Sequence, residues 1–205
     1  AFYHPANASL TLAGDIETER AFDLVEAYFG ELPPGPRPAR VDWAAELNSE
    51  LRLVLEDRVE LPRLYMAWLS PAMFDEGDAE LDLLGDLLAN GKTSRLYRTL
   101  VYERRLALDV SAVQRSQELA GAFFLVATAA PGGSLADIAE HIDAELQRLI
   151  GDGPSPGEME RVRAQVEAHF MYRLQTVGGF GGKSDQLNAY NVLRGDPGFF
   201  PADLS

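Results

Sequence analysis

The chain has 205 residues, a formal net charge of −14, 46% hydrophobic and 24% charged residues, and no cysteine. That apolar share builds a sizeable core and excludes wholesale disorder, while the negative surface repels phosphate backbones and anionic lipid and so argues against nucleic-acid and membrane partners. The lack of cysteine excludes disulfides, thiolate catalysis and cysteine-based zinc sites, and no apolar run reaches the roughly 20 residues of a membrane span.

The chain begins without a charged-then-apolar leader and runs from Ala1-Phe2-Tyr3 straight toward a strand, as a piece of a longer protein would. Residues 9–13 alternate and end at Gly14-Asp15, which predicts a short strand and turn. From 18 to 29, Phe22, Val25 and Phe29 recur at helical spacing, widened by Leu24 and Tyr28, and Gly30 supplies the stop. Four prolines between Pro33 and Pro38 then predict a stiff, extended linker over 33–50. Strands are expected at 51–56 and 63–69, the second with Leu64, Met66 and Trp68 on one face. A helix from Asp78 carries Leu81, Leu84 and Leu88 and stops at Asn90-Gly91, and another spans about 93–104. Strands at 107–116 and 121–130 follow. Ser134-x-x-Asp137 caps a helix through Ile138, Ile142, Leu146 and Leu149. Ser155-Pro156-Gly157-Glu158 caps a long one through Met159, Val162, Val166, Phe170 and Leu174, with proline at the first helical position. The glycines at 178–182 break it, and Ser184 starts a last short helix. Strands and helices grouped in this way predict an α+β fold, a mainly antiparallel sheet covered on one face by helices.

The chemistry-bearing residues are sparse. The histidines are His4, His141 and His169, and none has a second histidine three or four positions away, so no helix presents a two-histidine face to a metal. Glu167 beside His169, and Glu140 and Glu145 around His141, read as solvated helix faces, as do Asp78, Glu80, Asp82 and Asp86. Gly91-Lys92-Thr93 and Gly182-Lys183-Ser184 look like the end of a phosphate-binding loop. The first glycine of that motif would fall at Asp86 and at Val177, however, and both stretches follow helices where a strand is required. They read instead as helix caps. No G-x-S-x-G elbow occurs, and Asn7-Ala8-Ser9 fits the glycosylation pattern only by chance.

Five stretches in order carry a family resemblance: Tyr3-x-Pro5-x-Asn7-Ala8-x-Leu10, Gly14-Asp15, Tyr28-Phe29-Gly30, Gly91-Lys92-Thr93-Ser94-Arg95-Leu96 and Gly178-Gly179-Phe180-Gly181-Gly182-Lys183-Ser184-Asp185. The chain thereby resembles the pitrilysin/insulinase-type (M16) zinc metallopeptidases over nearly its whole length. The resemblance implies that residues 1–32 are the strand–helix tail of a preceding domain, 33–50 a linker, and 51–205 a non-catalytic domain lacking its last strand. The inverted zinc motif H-x-x-E-H of that family is absent, so zinc is expected upstream, in the parent's preceding domain. The family's substrate-holding run L-R-E-x-x-G-L-A-Y aligns with residues 100–108, where Val101 stands at the Arg position, Arg105 at the Gly position and Leu108 at the Tyr position. No catalytic, cofactor-binding or metal residue is therefore assigned.

The expected function is a structural chamber domain of an M16-type endopeptidase, inactive alone. Its partners would be the zinc-bearing domain, other M16-type domains and, in the full enzyme, peptide substrate. The alternatives are a catalytically dead M16-like binding or assembly subunit and, as a third class, a nucleotide binder. A cysteine-free chain fits periplasm or cytoplasm, and the resemblance favours the periplasm. Because the last strand of 51–205 is lacking, residues 9–14 are expected to fill its place in the 51–130 sheet, within one chain or through a strand-swapped dimer.

Overall fold

The computed structural model describes residues 3–39, 41 and 46–203. Residues 1–2, 40, 42–45 and 204–205, with the parts of the N-terminal motif and of the linker that fall on them, lie outside the described residues. Two compact units emerge, residues 42–164 and residues 1–41 with 165–205.

The first of these holds an antiparallel sheet of three described strands, β1 (Arg63–Ser70), β2 (Ala107–Ser116) and β3 (Gly121–Ala129), in the order β1-β3-β2. The alternation predicted for 63–69 sets its register. Leu64, Met66 and Trp68 stand opposite Ala127, Leu125 and Phe123, and Trp68 and Phe123 bring their rings to 6.2 Å between centroids. Phe123, Leu125, Ala127 and Ala129 are buried, because helices α2 (Asp78–Ala89) and α3 (Leu135–Asp152) pack on the sheet. Gly85 lets α2 approach β2 closely, since a Cβ there would lie 3.1 Å from the Ala112 carbonyl oxygen. Ile138 and Ile142 of α3 are fully buried, as their spacing predicts. The α+β fold, with a mainly antiparallel sheet and helices on it, stands.

The caps also stand. Ser134 accepts from the Asp137 N–H at 3.2 Å. At the start of α4 (Pro156–Arg173), the Ser155 hydroxyl accepts from the Glu158 N–H at 3.3 Å while the Glu158 carboxylate accepts from the Ser155 N–H at 2.8 Å. The expected helix over 93–104 forms, with a wider, π-helical winding at Tyr97–Glu103.

Two predicted strands do not form. Residues 51–56 carry no strand, and neither do 9–14. The described sheet pairs only β1, β2 and β3, so in this single chain residues 9–14 do not fill the vacant place. Local alternation is a request for backbone partners, and a strand exists only where the ladder is supplied. Helix α1 (Thr18–Phe29) forms at its predicted bounds but buries nothing. Phe22 is 67% exposed, and Tyr28 and Phe29 are exposed as well. The apolar stripe is present and left uncovered.

In the second unit, helices α5 (Lys183–Ala189) and α6 (Phe200–Asp203) gather around Tyr190. The Tyr190 side chain is buried, donates to Asp203 at 2.5 Å and accepts from Gln186 at 2.8 Å. Burial, and then the Asp203 carboxylate, push its phenol well above the usual range. In the same unit the Ala6 N–H reaches the Pro34 carbonyl at 2.7 Å, and the Ser9 hydroxyl donates to Asn188 at 2.5 Å.

Candidate functional site

The Gly91–Leu96 run is the residue pattern most open to a chemical reading, and the structure turns it into a clasp. Gly91 takes the left-handed conformation (φ 83°) that ends α2. Ser94 is fully buried and donates to the Gly91 carbonyl at 2.7 Å. Arg95 then crosses to the α3–α4 connection. Its guanidinium makes a two-pronged contact with Glu158, 2.7 and 2.8 Å, and a third bond to the Gly153 carbonyl at 3.1 Å. The paired hydrogen bonds from Arg95 hold the Glu158 carboxyl at about 2, against the opposing effect of burial and with help from the Ser155 N–H and hydroxyl. A loop engaged in this way tethers the connection between two helices, and its cation is committed to a carboxylate of the same unit.

Two acidic residues read from sequence as solvated are in fact buried. Asp78 accepts from the Phe74 N–H and from the Gln114 side-chain amide, both at 2.9 Å. It ties the turn before α2 to β2, and holds Phe74 at a positive φ of 66°. Glu145 of α3 accepts from the Thr99 hydroxyl at 2.8 Å and pairs with Arg148. The signal that could have found Asp78 is its place at the first helical position. For Glu145 there was none in sequence, since its donor Thr99 lies 46 residues away.

Each histidine has local surroundings of its own. His141 places Nδ1 2.8 Å from the Asp137 carbonyl of its own helix. His169 is exposed on α4. His4 packs over Gly35, where a Cβ would lie 2.5 Å from its ring. Among the described residues, no group of three or more His, Asp or Glu side chains could hold a metal ion. A groove of about 160 Å³ is lined by Leu174, Lys183, Gln186, Leu187, Tyr190 and Phe200, and is almost wholly apolar.

The run 100–108 is the one that the resemblance aligns with the family's substrate-holding pattern. Leu100 is fully buried, Val101 is half-buried and Leu108 is exposed on β2. Arg105 follows the π-helical turn with φ 54°. That left-handed step lets the Leu106 N–H turn back to the Leu100 carbonyl at 2.8 Å and start β2. A residue with a Cβ is strained there, which explains the glycine in the aligned pattern. We expect Arg105→Gly to raise stability by about 1 kcal/mol, read as a higher urea midpoint at unchanged slope, and Arg105→Ala to give no such gain.

The family pattern described as "Peptidase M16 inactive domain" matches residues 1–166. The chain belongs to the peptidase M16 inactive-domain family. A curated relative, the zinc protease PqqE of Helicobacter pylori, is 23% identical over 95% of this chain and 45% of its own length. The chain therefore spans a little less than half of that relative. Among solved structures, the peptidase M16 inactive domain from Pseudomonas fluorescens superposes with a TM-score of 0.72 at 16% identity, covering 93% of this chain and 44% of that one. The periplasmic protease PqqL from Escherichia coli gives 0.64 at 20% identity, over 93% of this chain and 22% of that one. At these identities the structural likeness is one of fold. Among the described residues, no helix is long and apolar enough to cross a membrane.

Proposed function

We infer that the chain is a non-catalytic domain of an M16-type zinc endopeptidase and that it builds part of the wall behind the reaction chamber. The observation that carries this reading is the joint one: an inactive-domain match over residues 1–166 in a chain without H-x-x-E-H. The Arg and Tyr of the family's substrate-holding run are replaced by Val101 and Leu108, so the domain supplies scaffold and surface in place of substrate-gripping groups. Zinc would reside in the preceding domain of the parent, where it would activate water for attack on a peptide bond. That zinc-bearing domain and further M16-type domains are the partners, and the peptide is the substrate of the whole enzyme.

On this reading residues 1–32 are the tail of the preceding domain, 33–50 are the linker, and 51–205 are a non-catalytic domain lacking its last strand, with the family match running across all three from residue 1. The apolar stripe of α1 supports the division, because exposed Phe22 and Phe29, with half-buried Val25, would lie against the zinc-bearing domain. Of the two compartments open to a cysteine-free chain we take the periplasm, the compartment in the description of the Escherichia coli protease.

The test is hydrolysis of a quenched fluorescent peptide by this chain, by the full reading frame that encodes it, and by that frame with residues 51–205 removed. The full protein should cleave in a metal-dependent way, this chain should not, and the deletion should lose at least about tenfold in rate. Metal-dependent turnover by this chain alone, or full activity of the deletion, would overturn the reading. A full protein that binds peptide without cleaving it would favour the catalytically dead binding subunit.

A further inference from the structure

Residues 51–56, Leu-Arg-Leu-Val-Leu-Glu, are the most exposed apolar run of the described residues. Leu51, Leu53, Val54 and Leu55 are 79–86% exposed. The run lies in no helix and carries no strand pairing. Leu51, Leu53 and Leu55 would share one face of a strand, which is the pattern of a half-buried strand rather than of a solvated loop. A tight turn follows, with the Val59 N–H on the Asp57 carbonyl at 3.0 Å, and leads into β1. That strand pairs only with β3 among the described residues, so its other edge is unpaired as well. Within seven residues of each other, the unit therefore presents an unpaired apolar segment and an unpaired edge.

We propose that residues 51–56 become a β-strand by pairing with a strand from the part of the M16-type polypeptide outside these 205 residues. The proposal rests on the reading of this chain as one portion of a longer enzyme. Two observations favour that occupant. The chain covers only 45% of its curated relative, which leaves more than half of such a polypeptide to supply a strand. A second copy of this chain is disfavoured by charge, since each carries −14 and two copies repel. Pairing satisfies the backbone N–H and C=O groups of 51–56 and buries Leu51, Leu53 and Leu55 together, which no single docked side chain would do.

Amide hydrogen exchange on this chain and on the full protein tests it. In this chain the amides of 51–56 should exchange at nearly free-peptide rates. In the full protein alternate amides of the run should slow by roughly a hundredfold or more. Leu53→Pro, which removes a ladder donor, should leave the Tm of this chain within about a degree and lower that of the full protein by about 5 °C or more. Fast exchange of 51–56 in the full protein would overturn the proposal. So would protection in this chain that rises with concentration alongside dimer formation, since the occupant would then be a second copy. Protection in the full protein, with peptide hydrolysis indifferent to removal of residues 51–205, would retain the strand and reject the chamber function.

Discussion

Leu125→Ala is expected to destabilise the chain by about 2–5 kcal/mol, whereas Phe22→Ala should change it by less than about 0.5 kcal/mol. Leu125 is fully buried at the centre of the middle strand, opposite Met66 on one side and Ala112 on the other. Truncation there removes its transfer energy and leaves a cavity that a strand paired on both sides and covered by helices cannot close. Phe22 is the larger side chain, but at 67% exposure it has little to lose. Urea unfolding of the two variants measures the contrast. Equal losses would mean that α1 is packed in solution, contrary to the exposure of its apolar stripe.

The second large effect concerns the clasp. Arg95→Ala should cost about 2 kcal/mol, because it strips two donors from the part-buried Glu158 and one from the Gly153 carbonyl. Arg95→Lys should recover only part of this, since an ammonium cannot make the two-pronged contact. The same pair sets an acid limit. The Glu158 carboxyl is brought down from 4.5 to about 2 in the folded chain. A carboxylate with a lowered folded pKa stabilises the fold fully above its unfolded value and loses that contribution as pH falls through the folded one. The window therefore runs from about pH 5 down to about pH 2, and the contribution at neutral pH is about 3 kcal/mol at most. Melting temperatures followed across that window should fall steeply for the wild type. They should fall less for Glu158→Gln, whose starting stability is already lower. A variant as steep as the wild type would assign the acid sensitivity to other carboxylates.

Much of the fold was legible because the signals that define it are local. The Ser134 and Ser155 caps, the stop at Gly91 and the alternation of 63–69 each involve residues within a few positions, and each appears where the pattern put it. Reading Gly91 as the stop of α2 was also local, and it holds, whereas the Ser94 hydroxyl expected to cap the next helix donates instead to the Gly91 carbonyl. The destination of the Arg95 side chain was not legible, because Glu158 is 63 residues further on. The same holds for Asp78 and Glu145. Composition assigns an acidic residue on a helix to solvent, and only the approach of Gln114 and Thr99 makes burial tolerable by supplying donors.

The errors share one cause. Residues 9–14 and 51–56 have the sequence of strands and no ladder in this chain, and α1 has an amphipathic stripe with no core beneath it. Periodicity reports the face that an element would bury, and says nothing of whether a neighbour is present to bury it.

By itself the sequence determined the class of fold, the bounds of the main helices, the caps and the lack of the zinc motif. These depend on neighbouring residues or on simple presence. Only the tertiary structure decided which carboxylates lie in the interior, that Arg95 clasps the α3–α4 connection, that Arg105 occupies a glycine's conformation, and which apolar segments are left uncovered. Each of those depends on partners far along the chain or on a backbone angle set by the turn around it, and burial is a property of the surroundings that no single residue carries.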